Sequence, residues 1–407
     1  MKGLKGIGLL FLGLIIIASG CAKPVAKCTD PEDNPQHHYA RGMDLLEQKK
    51  IDEAQTKFER ALYCDDRYGP ANAGLAIVNA EKAKNKKDAG YRQADVNNAL
   101  EQLKNARKNI KGAEEEFAYH IASIRVLTAI KTKNWLDDNE KGAERHFKDA
   151  MALQVNEQKL LYYEGREAAP YFMGLAYLEA REFQKARDKF QETLGMKREG
   201  KWNEKADRAW KKVDRIVRAM GGITLGDIGK AIAVKESVNR GDMAALLVDE
   251  IKIDKLFAGR IPIKAEIDKL KADFVPADVV NHHFKDEALT MMKWGVRGLE
   301  PVYDPTTRAF LFKPDIGLTR KEFALILEDV LIKLTGDQKI ATAYFGQERS
   351  PFPDVRPSDA WYNAALNATT RGIMEPELSG EFRPNDLVDG AEAILAIRVL
   401  RQRMNIY

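Results

Sequence analysis

The sequence predicts a mainly α-helical chain carrying two repeat systems in tandem. The first is an array of helix pairs over residues 35–220, and the second is a helical three-repeat module over residues 223–407. Three observations lead there. A small-x3-Phe-x2-small spacing recurs as Ala54/Phe58/Ala61, Ala143/Phe147/Ala150 and Ala186/Phe190/Thr193, which puts each set on one helix face. Phe-x-Pro, four residues, then a cap residue with an acid three further on occurs at Phe312–Glu322 and again at Phe382–Glu392. The composition, rich in Ala, Leu, Lys and Glu with 8% aromatic residues, suits helices.

Before either system stands a leader. Lys2 and Lys5 precede the uncharged apolar run Gly6–Ile17, and Ala18, Ser19 and Gly20 lead to Cys21. A positive start, a short apolar core and small residues describe a secretory signal. A membrane span needs about 20 apolar residues, and this run is shorter. Ala18-Ser19-Gly20-Cys21 resembles the lipobox of bacterial lipoproteins, with Ala where Leu is more typical. The resemblance implies that residues 1–20 are removed, that Cys21 is alkylated by a diacylglyceryl group and that the new amino terminus is acylated. Several acyl chains then hold the protein on a lipid membrane. Ala22, rather than Asp, after that cysteine implies an outer membrane facing the periplasm. The alternative is an ordinary cleaved signal with a chance cysteine.

The rest of the chain is long enough for two or three domains. With 65 Lys and Arg against 61 Asp and Glu, the net charge of +4 is small and evenly spread, which argues against a nucleic-acid partner. Residues 21–34 read as a linker. An exported chain meets oxidising conditions in which disulfides persist. Cys28 precedes a first helix expected over about 35–48, and Cys64 follows a second over about 51–63. Antiparallel helices would bring the two thiols together, so a Cys28–Cys64 disulfide is expected; two free thiols are the alternative.

Twelve residues before Ala54 and Ala186 lie Gly42 and Gly174, the latter followed by Tyr177. This pattern resembles the tetratricopeptide repeat (TPR). The resemblance is good over residues 35–68 and 167–200 and partial over 117–152, where Lys131 stands at the small-residue position. Residues 93–115 read as one charged helix. Three to four helix pairs would stack into a curved array, serving as a spacer or as a groove for a partner protein.

The C-terminal half repeats more sharply. The caps Asn239, Thr319 and Asp389, each with an acid three residues later (Asp242, Glu322, Glu392), are 80 and then 70 residues apart. Each resembles a capping box at a helix start. Asp278-Val279 and Asp354-Val355 are followed 20 and 18 residues on by Gly298 and Gly372, with helices containing Trp294 and Trp361 between. This order resembles the S-layer homology domain, clearly over 274–334 and 352–402 and more weakly over 223–250. That resemblance implies three repeats around a three-helix core, with grooves binding peptidoglycan or an associated anionic wall polymer.

The chemistry has its own logic. An Arg at a helix start adds a bidentate donor to unpaired N–H groups that already favour an anion. The expected polymer-binding residues are therefore Arg320 and Arg240, with Thr319, Lys321 and Glu322 beside the first. Gly390 at the equivalent position predicts a weak or silent third groove unless Arg383 or Arg371 substitutes. The competing reading pairs Arg320 with a nearby Glu on the surface for purely structural ends.

Other candidates are discounted. His37-His38 and His282-His283 lack the accompanying ligands of a zinc site. Asp227, Asp278 and Asp354 read as caps or turns rather than calcium ligands, and Trp294 and Trp361 as core rather than sugar platforms. No nucleophile motif, phosphate loop or carboxylate pair is present, so neither an enzyme nor a cofactor is expected. The expectation is a lipoprotein that tethers a membrane to the wall; the alternative is an assembly lipoprotein whose helical groove recruits a protein.

Overall fold

The computed structural model describes residues 28, 30–196, 199–260 and 274–403. Cys21 and the leader lie outside them. Helices dominate, and among the described residues the one sheet is a two-stranded hairpin. Two compact units emerge. One comprises the residues up to Ile130 together with Ala152–Tyr163, and the other Lys131–Met151 with Glu164 onward. The boundary expected at residues 220–223 falls inside the second unit.

The first unit opens with α1 (Pro35–Glu47) and α2 (Ile51–Cys64). Asn34 caps α1 by accepting the His37 N–H at 2.8 Å, and Pro35 supplies a preset φ at the first turn. Lys49 turns left-handed (φ +61), and the Lys50 N–H reaches Leu45 O, closing α1 with a Schellman-type end. Ala54, Phe58 and Ala61 are fully buried. A Cβ on Gly42 would meet the Phe58 ring at 2.6 Å, and one on Gly74 of α3 (Gly69–Asn85) would be closer still. The ring therefore lies between two glycine-lined backbones, and burying it contributes roughly 3 kcal/mol. Helix α3 is buried on almost every side, as a central helix must be, and packs against α4 (Ala89–Lys108) and α5 (Ala113–Ile130). The single helix expected over 93–115 is interrupted between these two, where Gly112 takes φ +92.

A disulfide joins Cys28 to Cys64, with Cα atoms 5.5 Å apart. Beside it the Asp33 carboxylate receives Arg60 through two bonds, Nε at 2.9 Å and Nη2 at 2.5 Å, and lies 2.8 Å from His38 Nε2. These partners, Arg60 first, hold the Asp33 carboxyl down at about 2.

The second unit begins with α6 (Ala143–Ala152), α7 (Ala168–Glu179), α8 (Phe183–Met196) and α9 (Asn203–Ala219). The α7–α8 pair repeats the α1–α2 design. A Cβ on Gly174 would lie 2.6 Å from the Phe190 ring, and Arg181 (φ +61) makes the same turn, with the Glu182 N–H on Tyr177 O. The middle repeat does not. Lys131 is already left-handed (φ +49) beyond the end of α5, so no small residue on a preceding helix receives Phe147. That ring stays half-buried with the Lys189 ammonium 4.2 Å from its centre. Helix α9 leads into the C-terminal repeats: Arg215 pairs with Asp389 at 2.8 Å, and Arg398 Nη1 donates to Arg218 O at 2.6 Å.

In the C-terminal module the residues before the three caps form a closed ring. Leu318 N–H donates to Val238 O (2.9 Å), Val238 N–H to Val388 O (2.8 Å) and Val388 N–H to Leu318 O (3.0 Å). All three residues are buried. From this ring depart the helices Arg240–Ala245, Arg320–Thr335 and Gly390–Arg403.

Phe58→Ala should cost about 3–5 kcal/mol in urea unfolding, the range for an emptied core aromatic. Phe147→Ala, at a half-buried ring, should cost clearly less. A depressed folded-state pKa stabilises above the unfolded value of 3.8 and loses that contribution as pH falls toward 2. The stability gap between wild type and Asp33→Asn should therefore be full above pH 4 and close near pH 2, measured by thermal melts across that range.

Candidate functional site

Two of the three joints between C-terminal repeats are built from the helix start of one and the Phe-x-Pro loop of the next. Asp278 accepts the N–H groups of Phe312 (3.1 Å) and Lys313 (2.6 Å), and Asp354 those of Phe382 (2.9 Å) and Arg383 (2.7 Å). The Asp-Val starts thus shape the loops, and Lys313 and Arg383 adopt matching left-handed φ of +56 and +55. At the first joint the Arg240 N–H donates to Ile316 O; at the second the Arg320 N–H donates to Asp386 O.

The guanidiniums continue inward. Arg240 Nε donates to Phe312 O (2.8 Å), Nη1 to Gly298 O (2.6 Å) and Nη2 to Glu300 O (2.7 Å), with its carbon 5.1 Å from the Phe312 ring centre. Arg320 Nε donates to Phe382 O (2.6 Å), Nη2 to Glu375 O (2.8 Å) and Nη1 to the Glu392 carboxylate, again 5.1 Å over a phenyl ring. Arg320 is only 3% exposed. The Arg320 side chain is therefore bonded to the neighbouring repeat, and its Glu392 partner lies in the interior rather than on the surface. Of the expected residues, Glu322 is exposed and Thr319, Lys321 and Arg240 are partly exposed; Lys321 Nζ donates to Asn385 Oδ1 at 2.8 Å. Thr319 and Glu322 close the capping box, with Glu322 Oε2 accepting the Thr319 N–H (2.9 Å) and hydroxyl (2.6 Å). In the third repeat the Glu392 N–H donates to Asp389 Oδ1, but the Glu392 carboxylate is diverted to Arg320. Burial pushes this carboxyl above the usual range while the Arg320 cation pulls it back.

The third joint works without an arginine. The Gly390 N–H donates to Lys235 O at 2.9 Å, and a Cβ on Gly390 would collide with the Ile232 carbonyl. Backbone meets backbone, which leaves no room for a side chain at residue 390. Lys235 supplies the missing cation, its ammonium 2.7 Å from the buried Asp242. Arg383 pairs outward with Glu377 at 2.6 Å. The ungapped register of residues 232–240, 312–320 and 382–390 was the available signal for Lys235 and Gly390.

Trp294 is buried against Phe257, while Trp361 stacks on Phe382. Neither lies within its helix; Trp294 follows Lys285–Lys293 and Trp361 precedes Tyr362–Thr370. His282 Nδ1 accepts the Phe284 N–H. The one described group of three metal-type side chains, Cys28, Asp33 and Cys64, has both sulfurs bonded to each other.

In the first unit, residues 152–163 lie along the helices on which a partner was expected. Asn156 N–H donates to Glu114 (3.0 Å), the Tyr162 hydroxyl to Glu47, and Tyr163 packs edge-on against Phe117. A cleft of about 230 Å³ remains between this segment and α1, α3 and α5, lined by Tyr39, Tyr68 and Leu160 among others.

Residues 351–394 match the family model of the S-layer homology domain. No curated protein and no solved structure matches the chain. The domain match implies association with the cell surface or envelope and suggests binding to a wall or surface polymer. Among the described residues, no helix is long and apolar enough to cross a membrane.

Arg320→Met strands the Glu392 charge in the interior and should cost about 3–5 kcal/mol. Arg320→Met with Glu392→Met should cost less than the sum of the single changes, measured as a double-mutant cycle in urea. Gly390→Ala should disrupt the third joint outright. Gly336→Ala, at a left-handed helix end (φ +73) with open space around it, should cost only about 1–3 kcal/mol.

Proposed function

We propose that this chain is a cell-envelope lipoprotein that ties a membrane to the cell wall. Lipid on Cys21 holds one end at an outer membrane, and the C-terminal repeats bind peptidoglycan or an associated anionic polymer. The observation that carries this reading is the S-layer homology match at residues 351–394. The lipobox-like Ala18–Cys21 supports the other attachment.

Between the two ends, the helix pairs act as a TPR-like spacer. The glycine-lined seats of Phe58 and Phe190 and the shared left-handed turns at Lys49 and Arg181 favour that kinship. Recruitment of a protein by the helical array is the second function; with residues 152–163 already along α1, α3 and α5, a partner would use another face or the small remaining cleft. In the wall-binding module, Arg240 and Arg320 hold the joints in shape, and Lys321, at the surface of the second joint, meets the anionic polymer.

Full-length protein in detergent should pellet with purified sacculi, and stripping their attached polymers separates the two ligand classes. Lys321→Glu should weaken pelleting several-fold without altering the melting temperature, since an exposed charge steers and binds but adds little stability. A wild-type protein that stays in the supernatant defeats the wall-binding reading. Fatty-acid labelling that persists in Cys21→Ser defeats the anchor.

A further inference from the structure

The second C-terminal repeat carries four more residues than the third between its left-handed glycine and its Phe-x-Pro. Gly298 to Phe312 spans fourteen positions and Gly372 to Phe382 ten. The added length folds into the hairpin Val302–Asp304 and Ala309–Leu311, in which Tyr303 stands directly opposite Phe310. Their ring centres are 5.4 Å apart with planes at 63°, so the pair forms an angled notch rather than a flat stack. Tyr303 is 51% and Phe310 54% exposed. A contiguous apolar patch held in water is a poor use of aromatic residues unless something covers it.

The hairpin is fixed at both ends. Asp304 accepts the N–H groups of Thr306 (2.9 Å) and Thr307 (3.1 Å) and pairs with Lys313 at 3.2 Å. At its foot, Gly298 O and Glu300 O are the acceptors of Arg240, so it rises from the first inter-repeat joint. Asp304 is thereby committed, and so is Glu300, which accepts the Gly298 N–H. Arg308, exposed in the turn with φ +54, has no ion-pair partner among the described residues. Aromatic surface and an uncompensated guanidinium therefore sit on one short insertion.

We propose that this hairpin is a docking platform for an acidic saccharide: Tyr303 and Phe310 take the C–H face of a pyranose ring, and Arg308 takes its carboxylate or phosphate substituent. The electron-rich ring faces complement the weakly positive C–H edges of a sugar. The guanidinium complements an oxyanion by bidentate hydrogen bonding. The cationic turn selects the anionic polymer class over a neutral glycan. This rests on the wall-binding reading and names the contact within it that the buried arginines do not provide.

The test compares full-length wild type, Tyr303→Leu/Phe310→Leu and Arg308→Gln, using sacculi before and after acid stripping of their attached anionic polymers. The leucine pair keeps apolar bulk but removes the ring faces, and it should lower affinity about tenfold, or 1.4 kcal/mol, with an unchanged melting temperature. Arg308→Gln should weaken binding to unstripped sacculi and flatten its salt dependence. Leu378→Ser, at the fully exposed turn of the third repeat, should bind as wild type does. Wild-type affinity in the leucine pair overturns the platform while leaving wall binding intact. Equal binding of wild type to stripped and unstripped sacculi overturns the acidic-saccharide assignment. Absence of wild-type binding to either removes the wall reading together with the platform.

Discussion

Three backbone hydrogen bonds, linking Val238, Leu318 and Val388 head to tail, are the constraint on which the C-terminal half depends. Each repeat gives one N–H and one C=O to the ring, so no repeat is closed without the other two. Buried amides must be paired, and here each pairing residue sits immediately before a helix cap. The ring therefore sets where three helices start and which loop each helix start faces. A chain of three weakly similar segments becomes one cooperative body through this closure.

The joints around the ring are similar but not equal. Two are filled by arginines lying over phenylalanine rings, and the third by bare contact of Gly390 with the Ile232–Lys235 backbone. The difference follows from the first repeat, whose short helix Asp227–Ala233 brings its terminal carbonyls where the other repeats place a Phe-x-Pro loop. A guanidinium would have no room there, and Lys235 neutralises Asp242 from within the same repeat. Burying Arg320 with Glu392 is a poor source of net stability, since desolvation offsets the Coulomb attraction. Its value lies in specificity: only one neighbouring loop satisfies all its donors. Elsewhere in the same core, Glu328 is engaged by Asn363, Asn367 and Arg297, so the packing of the second and third repeats is also specified by polar pairing.

The helical units follow a simpler rule. Where a glycine lies opposite the aromatic position, as at Gly42 and Gly174, the ring is swallowed whole and two helices close upon it. Where Lys131 replaces that glycine, the helix ends and the ring is left half outside. Burial beside the remaining cleft pushes the Tyr68 phenol well above its ordinary range.

What the sequence determined by itself was everything encoded in local spacing. Helix faces, caps, the left-handed glycines at 298 and 372, and the approach of Cys28 to Cys64 follow from side-chain periodicity and short-range hydrogen bonding, which need no knowledge of distant neighbours. The helical class and the repeat register of the C-terminal half were legible for the same reason. Tertiary structure alone decided where each unit ends and what each arginine touches. Arg320 at a helix start reads equally well as an anion site and as a joint, because the distinction depends on a carboxylate 72 residues away. Likewise the four extra residues before Phe312 are visible as length. Only the folded hairpin shows that they lift two rings and a cation into solvent.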